Sequence, residues 1–240
     1  MSSLNRYFIF EKKEMRNLED KALDNNLTLK RKRIMIYFIE AAEKLIRQNG
    51  IENLSIRKIA TEAGYNSATI YNYFNDLEQL TMFASICYLR EYVSQLEKEL
   101  KPEMRAIDSY RTIYHCFNRN ALRYPEIYHN IFFGKYSGEL ASVLHLYYHE
   151  LFPNELENFS EETRTMLVQG SMVERDRATM ERMVQEGDIQ ADKAEITLDL
   201  IVALHQNFLY EASLGGAGFD AKAHEEKFNK MFEYLLAAGK

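Results

Sequence analysis

Polar side chains suited to phosphates and to the edges of nucleotide bases are spaced along residues 55–74. Arg57 and Lys58 can bind phosphate oxygens, whereas the amide of Asn72 can both donate to and accept from a base edge. Apolar residues fall between them at helical intervals, so polar and apolar side chains occupy opposite faces. The spacing indicates a surface that contacts nucleic acid, with outward side chains at Arg57, Lys58, Ser67, Thr69, Asn72 and Tyr73.

Two short helices must position these side chains. Ser55 is a suitable N-cap for a helix over 56–63 and Asn66 for a second over 67–74, with Gly64 in the turn between them. In such a helix-turn-helix the first helix braces the second, which enters the major groove. The side chains predicted to pack beneath the pair are Ile56, Ile59, Ala60, Ala63, Ile70 and Phe74.

The net charge of −6 is unevenly distributed along the chain. Between Thr28 and Phe74 there are eight Lys and Arg side chains against four Glu, so the remainder is strongly acidic. A basic segment on an acidic body suits a small DNA-contacting head. A chance fluctuation of surface charge is the alternative interpretation.

The rest of the chain is predicted to be helical, with an N-terminal extension at 1–29, a head at 30–80 and a body at 81–240. No apolar run reaches the roughly 18 residues of a membrane-spanning helix. The two cysteines, Cys87 and Cys116, lack motif spacing and are predicted to be reduced and packed, which indicates a cytoplasmic protein. Beyond the helix-turn-helix, helices are expected at about 31–48, 76–100, 103–123, 125–133, 138–151, 161–186, 192–213 and 221–238.

Other chemistries find little support in the sequence. His145 and His149 stand four residues apart, as two imidazoles on one helix must to share a metal, but no third ligand accompanies them. No nucleophile motif or phosphate-binding loop occurs either. We therefore predict no catalytic residues, no metal and no cofactor, and keep an enzyme acting through the histidine-rich body as an alternative.

Aromatic residues are concentrated between Ile107 and Phe159, where twelve of 53 residues are Tyr or Phe. They fit two interpretations equally well, a core filled by large rings or the wall of a ligand cavity.

The stretch SIRKIATEAGYNSATIYNYF, from Ser55 to Phe74, resembles the head of the tetracycline-repressor (TetR) family. It combines an Ile-Ala pair, an Ala-Gly turn, a Thr-Ile-Tyr core and a Tyr-x-x-Phe ending at fixed spacing. The likeness covers roughly residues 32–82; beyond them only the helical pattern and the length agree. It implies an all-α fold, a three-helix DNA-binding head followed by a larger helical body for ligand binding and dimerisation.

The resemblance also assigns roles to residues. Arg57 matches a position that reaches a base or a phosphate, Tyr71 a phosphate-contacting tyrosine, and Asn72 and Tyr73 readers of base edges. Ser67–Thr69 match the start of the recognition helix. The residues expected to contact DNA are Lys32, Arg33, Arg57, Lys58, Asn66, Ser67, Ala68, Thr69, Tyr71, Asn72 and Tyr73.

One position departs from the family pattern. Leu77 stands where a lysine commonly touches the DNA backbone. The basic run Lys30–Arg33 either replaces that contact or is a solvated helix start.

For the body, the resemblance implies an effector pocket among the middle helices and a dimer formed by the helices at 161–186 and 192–213. The predicted function is a ligand-responsive regulator, a repressor, that binds a palindromic double-stranded DNA operator as a homodimer and is released by a small apolar or aromatic effector. An architectural DNA-binding protein is the alternative, and a solidly packed body would favour it. The predicted lining residues are Tyr110, Tyr114, Phe117, Tyr128, Phe132 and Tyr147.

Overall fold

The computed structural model describes residues 28–157, 159–215 and 219–240, and every regular element in those ranges is helical. The predicted all-α class is confirmed. The N-terminal extension predicted at 1–29 lies outside the described residues up to position 27, as do positions 216–218 of the predicted glycine-rich loop. No helix in the described ranges is both long and apolar enough to cross a bilayer.

Three helices form the head. They are α1 (Leu29–Asn49), α2 (Ile56–Ala63) and α3 (Ser67–Ile70), with a 3-10 turn at Ile51–Asn53 between the first two. Their packing follows the predicted apolar positions, because each helix buries one stripe against the other two. The fully buried side chains at the centre include Phe38, Ile39, Ala42, Ile59 and Ile70.

A long helix, α4 (Leu77–Glu99), leads from the head into the body. Asp76 caps its first turn, since the Asp76 carboxylate accepts a hydrogen bond of 2.9 Å from the backbone N–H of Gln79. Every residue from Leu80 to Leu89 is buried, because this helix packs on α1 at one end and on body helices at the other.

The described part of the body contains seven further helices. They are α5 (Ala106–Ala121), α6 (Pro125–Phe133), α7 (Leu140–His145), α8 (Glu161–Val168), α9 (Met172–Gln185), α10 (Ala194–Ser213) and α11 (Ala221–Ala238). The last two, α10 and α11, pack on each other, and α9 lies against α5 and α10. A π-helical turn, Leu146–Leu151, continues α7, and 3-10 turns cover Ser137–Glu139 and Pro153–Leu156.

Three predicted helices differ from the observed ones. The helix expected over 138–151 consists of a 3-10 turn, α7 and a π-helical turn. The helix expected over 67–74 ends at Ile70, because the next residues form tight turns in which the Tyr73 N–H donates to the Ile70 carbonyl at 2.9 Å. The helix expected over 161–186 is two helices that break at Gly170. That glycine is buried, and a Cβ there would lie 3.0 Å from the Ala141 Cβ, so α7 approaches too closely for a larger residue.

Candidate nucleic-acid interface and body cavity

Local capping fixes the turn between α2 and α3. The Ser55 hydroxyl accepts from the Lys58 N–H at 3.3 Å, and the Asn66 side chain accepts from the Ala68 N–H at 2.9 Å. Gly64 has φ +77°, a left-handed conformation that ends α2 and that glycine adopts without steric cost. The Tyr65 N–H then closes the turn on the Ala60 carbonyl at 2.8 Å. The predicted caps are therefore confirmed.

Aromatic packing holds this pair of helices on α1. The ring of Phe38 is fully buried, and its centroid lies 5.2 Å from that of Tyr65, 6.1 Å from Tyr73 and 6.5 Å from Phe74. Tilted and edge-to-face contacts of this kind stabilise a fixed ring geometry. The pair is thus anchored from below, which leaves its other face to solvent.

The outward face carries most of the side chains that the sequence assigns to DNA. Arg57, Lys58 and Asn72 are exposed, and Tyr71 is 59% exposed. Tyr73 differs, since its ring is half-buried and the Arg31 guanidinium lies 4.8 Å from the ring centroid. Ser67 and Thr69 are half-buried, and Asn66 and Ala68 are exposed.

The basic side chains of the head fall into two groups. The Lys32 ammonium lies 2.5 Å from a Glu150 carboxylate oxygen in the body, and the Lys58 ammonium donates to the Asn53 carbonyl at 2.8 Å. Arg33 and Arg57 are exposed and make no ion pair with any residue that the structure describes. Their charges are available to phosphates without first breaking an ion pair.

Leu77 adds no charge to this face. It begins α4, is half-buried and packs against the core. Beside it, the Lys135 ammonium pairs with Asp76 at 2.6 Å, and the Tyr136 hydroxyl donates to the same carboxylate oxygen at 2.8 Å. This contact ties the head end of α4 to the loop after α6.

A cavity of about 770 Å³ lies among α4, α5, α8 and α9. Three of the six predicted ligand-binding residues, Tyr114, Phe117 and Phe132, line it, and Tyr92 and Leu96 of α4 form much of the remaining apolar wall.

The other three predicted lining residues belong to the core. The Tyr128 hydroxyl donates to the Tyr88 carbonyl at 3.0 Å, and Tyr147 stacks on Phe152 with ring centroids 4.4 Å apart. Tyr110 does not line the cavity, but it contacts the wall through its hydrogen bond to Asp176 and through its ring, 5.0 Å from that of Tyr114. Large rings fill the space between helices here, which is the alternative that the sequence left open.

Asp176 of α9 is a buried carboxylate in the cavity wall. Its Oδ2 atom accepts hydrogen bonds from the hydroxyls of Tyr110 at 2.8 Å and Tyr114 at 2.5 Å. Burial raises the pKa of Asp176 from 3.8 to about 6, against the smaller opposing effect of the two hydroxyls and of the Arg175 charge. The sequence analysis missed this residue.

Arg175, the preceding residue, also lines the cavity and was also missed. Its Nη2 donates to the Leu167 carbonyl at 3.1 Å and its Nε to the Gly170 carbonyl at 3.5 Å. Its Cζ lies 5.3 Å from the centroid of the Phe132 ring. Burial lowers the pKa of the Arg175 guanidinium.

The two histidines considered as metal ligands are exposed neighbours. The ring centroids of His145 and His149 are 4.5 Å apart. In the part of the chain that the structure describes, no three His, Cys, Asp or Glu side chains are grouped as a metal ion requires.

Large apolar side chains are exposed on α10 and α11. On α10 and at its C-cap they recur at intervals of about one or three helical turns, and on α11 they include Met231, which is 46% exposed. The outward side of α9 is instead charged, with Glu174, Arg177, Glu181 and Arg182 exposed. The exposed apolar side chains are Ile196, Leu200, Tyr210, Leu214, Met231 and Tyr234.

Comparison with known proteins gives consistent matches. Residues 38–81 match the sequence model of bacterial regulatory proteins of the tetR family. An HTH-type transcriptional regulator of Staphylococcus aureus is 26% identical over 148 residues, which cover 54% of this chain and 73% of the relative. The fold is similar to that of Thermus thermophilus FadR, a TetR-family transcriptional repressor solved with lauroyl-CoA. The TM-score is 0.55 at 14% identity, over 82% of this chain and 92% of that one.

Proposed function

We propose that the chain, a transcriptional regulator of the tetR family, represses by binding a palindromic operator as a homodimer. It releases the DNA when a small molecule enters the body cavity. The observation that carries the proposal is the outward face of the α2–α3 pair, where Arg57, Tyr71 and Asn72 stand exposed on a buried aromatic anchor. A rigid pair with polar groups on one side is what groove binding requires.

Each exposed side chain has a distinct part in this proposal. Arg57 and Arg33 bind phosphates, which position the head without reading sequence. Asn72 contacts a base edge, and its amide can pair with adenine through two hydrogen bonds. Because α3 ends at Ile70, Asn72 reaches the base edge from the turn that follows this helix. Tyr73 supports them from below through its packing on Phe38.

The cavity and the head share one helix, which gives a route for control. Leu80 of α4 is buried in the head region, and Tyr92 and Leu96 line the cavity. Twelve helical residues separate Leu80 from Tyr92, a distance of about 18 Å. A ligand that displaces the cavity end of α4 therefore moves the head. DNA is released only if the ligand binds the non-DNA conformation more tightly.

The cavity also supports one of the two alternatives for the body. A volume of about 770 Å³ suits a drug-sized ligand and disfavours an architectural protein with a solid body. The lauroyl-CoA bound to the Thermus thermophilus relative contains a long apolar acyl chain, which is in keeping with a ligand that has an apolar part. We propose no catalytic step, since DNA release needs binding alone.

For the dimer we propose the surface of α10 and α11, and not the segment at 161–186 that the resemblance first suggested. Leu200, Tyr210 and Tyr234 are among six large apolar side chains exposed there. A patch of this kind on two adjacent helices suits a four-helix interface between subunits. The charged outward side of α9 does not suit such an interface.

Operator binding tests the proposal. Arg57→Ala should weaken binding to all sequences and reduce the slope of log affinity against log salt by about 1. Asn72→Ala should cost about 1–3 kcal/mol on the preferred site and relax one base position. Gln48→Ala, an exposed change at the far end of α1, is the matched control. Fluorescence anisotropy in which both variants bind like the control would reject this interface.

A further inference from the structure

The cavity wall contains a cation without an anion. Arg175 donates two hydrogen bonds, both to backbone carbonyls, and lies beside the Phe132 ring. No carboxylate lies within ion-pair distance of it among the side chains that the structure describes. Its Nη1 group makes no hydrogen bond to any described residue. An arginine cannot shed its proton, so this charge lies in the wall without an anion in direct contact.

The neighbouring carboxylates form hydrogen bonds with groups other than Arg175. Asp176 accepts from the hydroxyls of Tyr110 and Tyr114, and Glu174 accepts from the Ser171 N–H at 3.0 Å in the capping box of α9. At the rim, Glu97 accepts from the Ser160 N–H at 2.8 Å. None of these acids neutralises the Arg175 guanidinium by direct contact.

The remaining wall is mainly apolar beside this charge. Tyr92, Leu96, Ile113 and Phe117 supply aromatic and aliphatic surface from α4 and α5. The site therefore pairs one half-buried positive group with a large, mainly apolar wall. A guanidinium in such surroundings binds a carboxylate strongly, because the apolar wall weakens screening by water and the hydrogen bonds are charge-assisted.

We infer that the effector is an organic anion with an apolar body, whose carboxylate pairs with the Arg175 guanidinium while its body lies against Tyr92, Leu96 and Phe117. The inference deepens the proposed function and rests on it for the role of the cavity. It gives the effector a charge that the aromatic composition alone does not predict.

Calorimetry on the full chain tests the assignment with two matched probe series. One series is decanoate, decanol and decylammonium. The other is 4-phenylbutanoate, 4-phenylbutanol and 4-phenylbutylammonium. The native chain should bind at least one carboxylate about tenfold or more tighter than the matched alcohol. Arg175→Met should abolish this preference and leave alcohol binding within about threefold, because the apolar replacement preserves the wall. Arg175→Lys should keep part of the preference.

Controls separate the possible failures. Lys101→Met at the exposed rim should leave the preference intact, and unchanged operator affinity without ligand should show that each variant is folded. Equal binding of acid and alcohol, a preference that survives Arg175→Met, or tighter binding of the ammonium would overturn the inference. If no probe of either series binds, both the inference and the proposed ligand binding fail. Carboxylate binding that leaves DNA affinity unchanged would reject only the proposed release.

Discussion

Replacing Asp176 by Asn should remove a pH dependence of stability that this buried carboxylate creates. Asp176 is 5% exposed, and hydrogen bonds from two tyrosines offset only part of its desolvation. Its pKa is therefore raised from 3.8 to about 6 in the folded chain. Between pH 3.8 and about pH 6, Asp176 therefore holds a proton in the folded chain that it has lost in the unfolded chain.

The direction and size of the effect follow from linkage. Because the folded state binds more protons in that interval, the free energy of unfolding falls as the pH rises through it. Each tenfold change in proton affinity is worth about 1.4 kcal/mol, so the loss from this group between about pH 4 and pH 7 is about 3 kcal/mol. An amide does not titrate. As the pH rises over the same range, the free energy of unfolding of Asp176→Asn should therefore increase by about 3 kcal/mol relative to that of the native chain.

Urea unfolding at several pH values and equal protein concentration measures this difference. Comparing variant with native chain cancels groups that titrate in both, including His205. Asp192→Asn, the same change at an exposed position, is the control. A difference between Asp176→Asn and the native chain that stays constant to within about 0.5 kcal/mol would refute the reasoning.

Three further predictions concern the dimer, the turn and the core. Leu200→Glu should convert the dimer to a monomer in light scattering, because it places charge on the proposed interface. The control Gln185→Glu on α9 should leave the dimer intact. A Leu200→Glu variant that stays dimeric would contradict the proposed surface. Gly64→Ala should lower the free energy of unfolding by about 1 kcal/mol, because φ of Gly64 is +77°, which is strained for alanine. An added Cβ would meet no atom within 4 Å, so no steric clash adds to this cost. Unchanged stability in urea would contradict the left-handed turn. Burial lowers the pKa of His205 from 6.5 to about 3, so the native chain loses stability as the pH falls through that range. His205→Gln should lose less, and parallel pH profiles of unfolding would count against a buried neutral imidazole.

The head was predictable because its determinants are local. Ser55, Asn66 and Gly64 fix the ends of α2 and the start of α3, and each acts on residues within one turn. The end of α3 was not predictable in the same way. Tight turns at Tyr71–Tyr73 keep side chains at nearly helical spacing, so the apolar periodicity continued past Ile70.

The break between α8 and α9 was present in the sequence and was overlooked. Gly170 is followed by Ser171 and, three residues later, Glu174, which form a capping box that starts a new helix. The sequence analysis joined the two helices into one over 161–186.

The cavity could be predicted only in part. Aromatic enrichment indicated the right region, and half of the six predicted residues line the cavity. Arg175 and Asp176 could not be found this way, because adjacent charges on a polar helix are expected to face solvent. Their burial depends on how α9 packs against α5 and α10, which sequence spacing does not specify.

Selection of preferred sites from a random pool of duplex DNA tests the central claim most directly, with the native chain and Asn72→Ala compared in parallel. The native chain should enrich one palindromic site with half-sites about one helical turn, or 10 base pairs, apart, and the variant should lose specificity at one position in each half-site. A native chain that enriches no sequence, or only an asymmetric site, would contradict a dimer that reads DNA through the exposed side of α3.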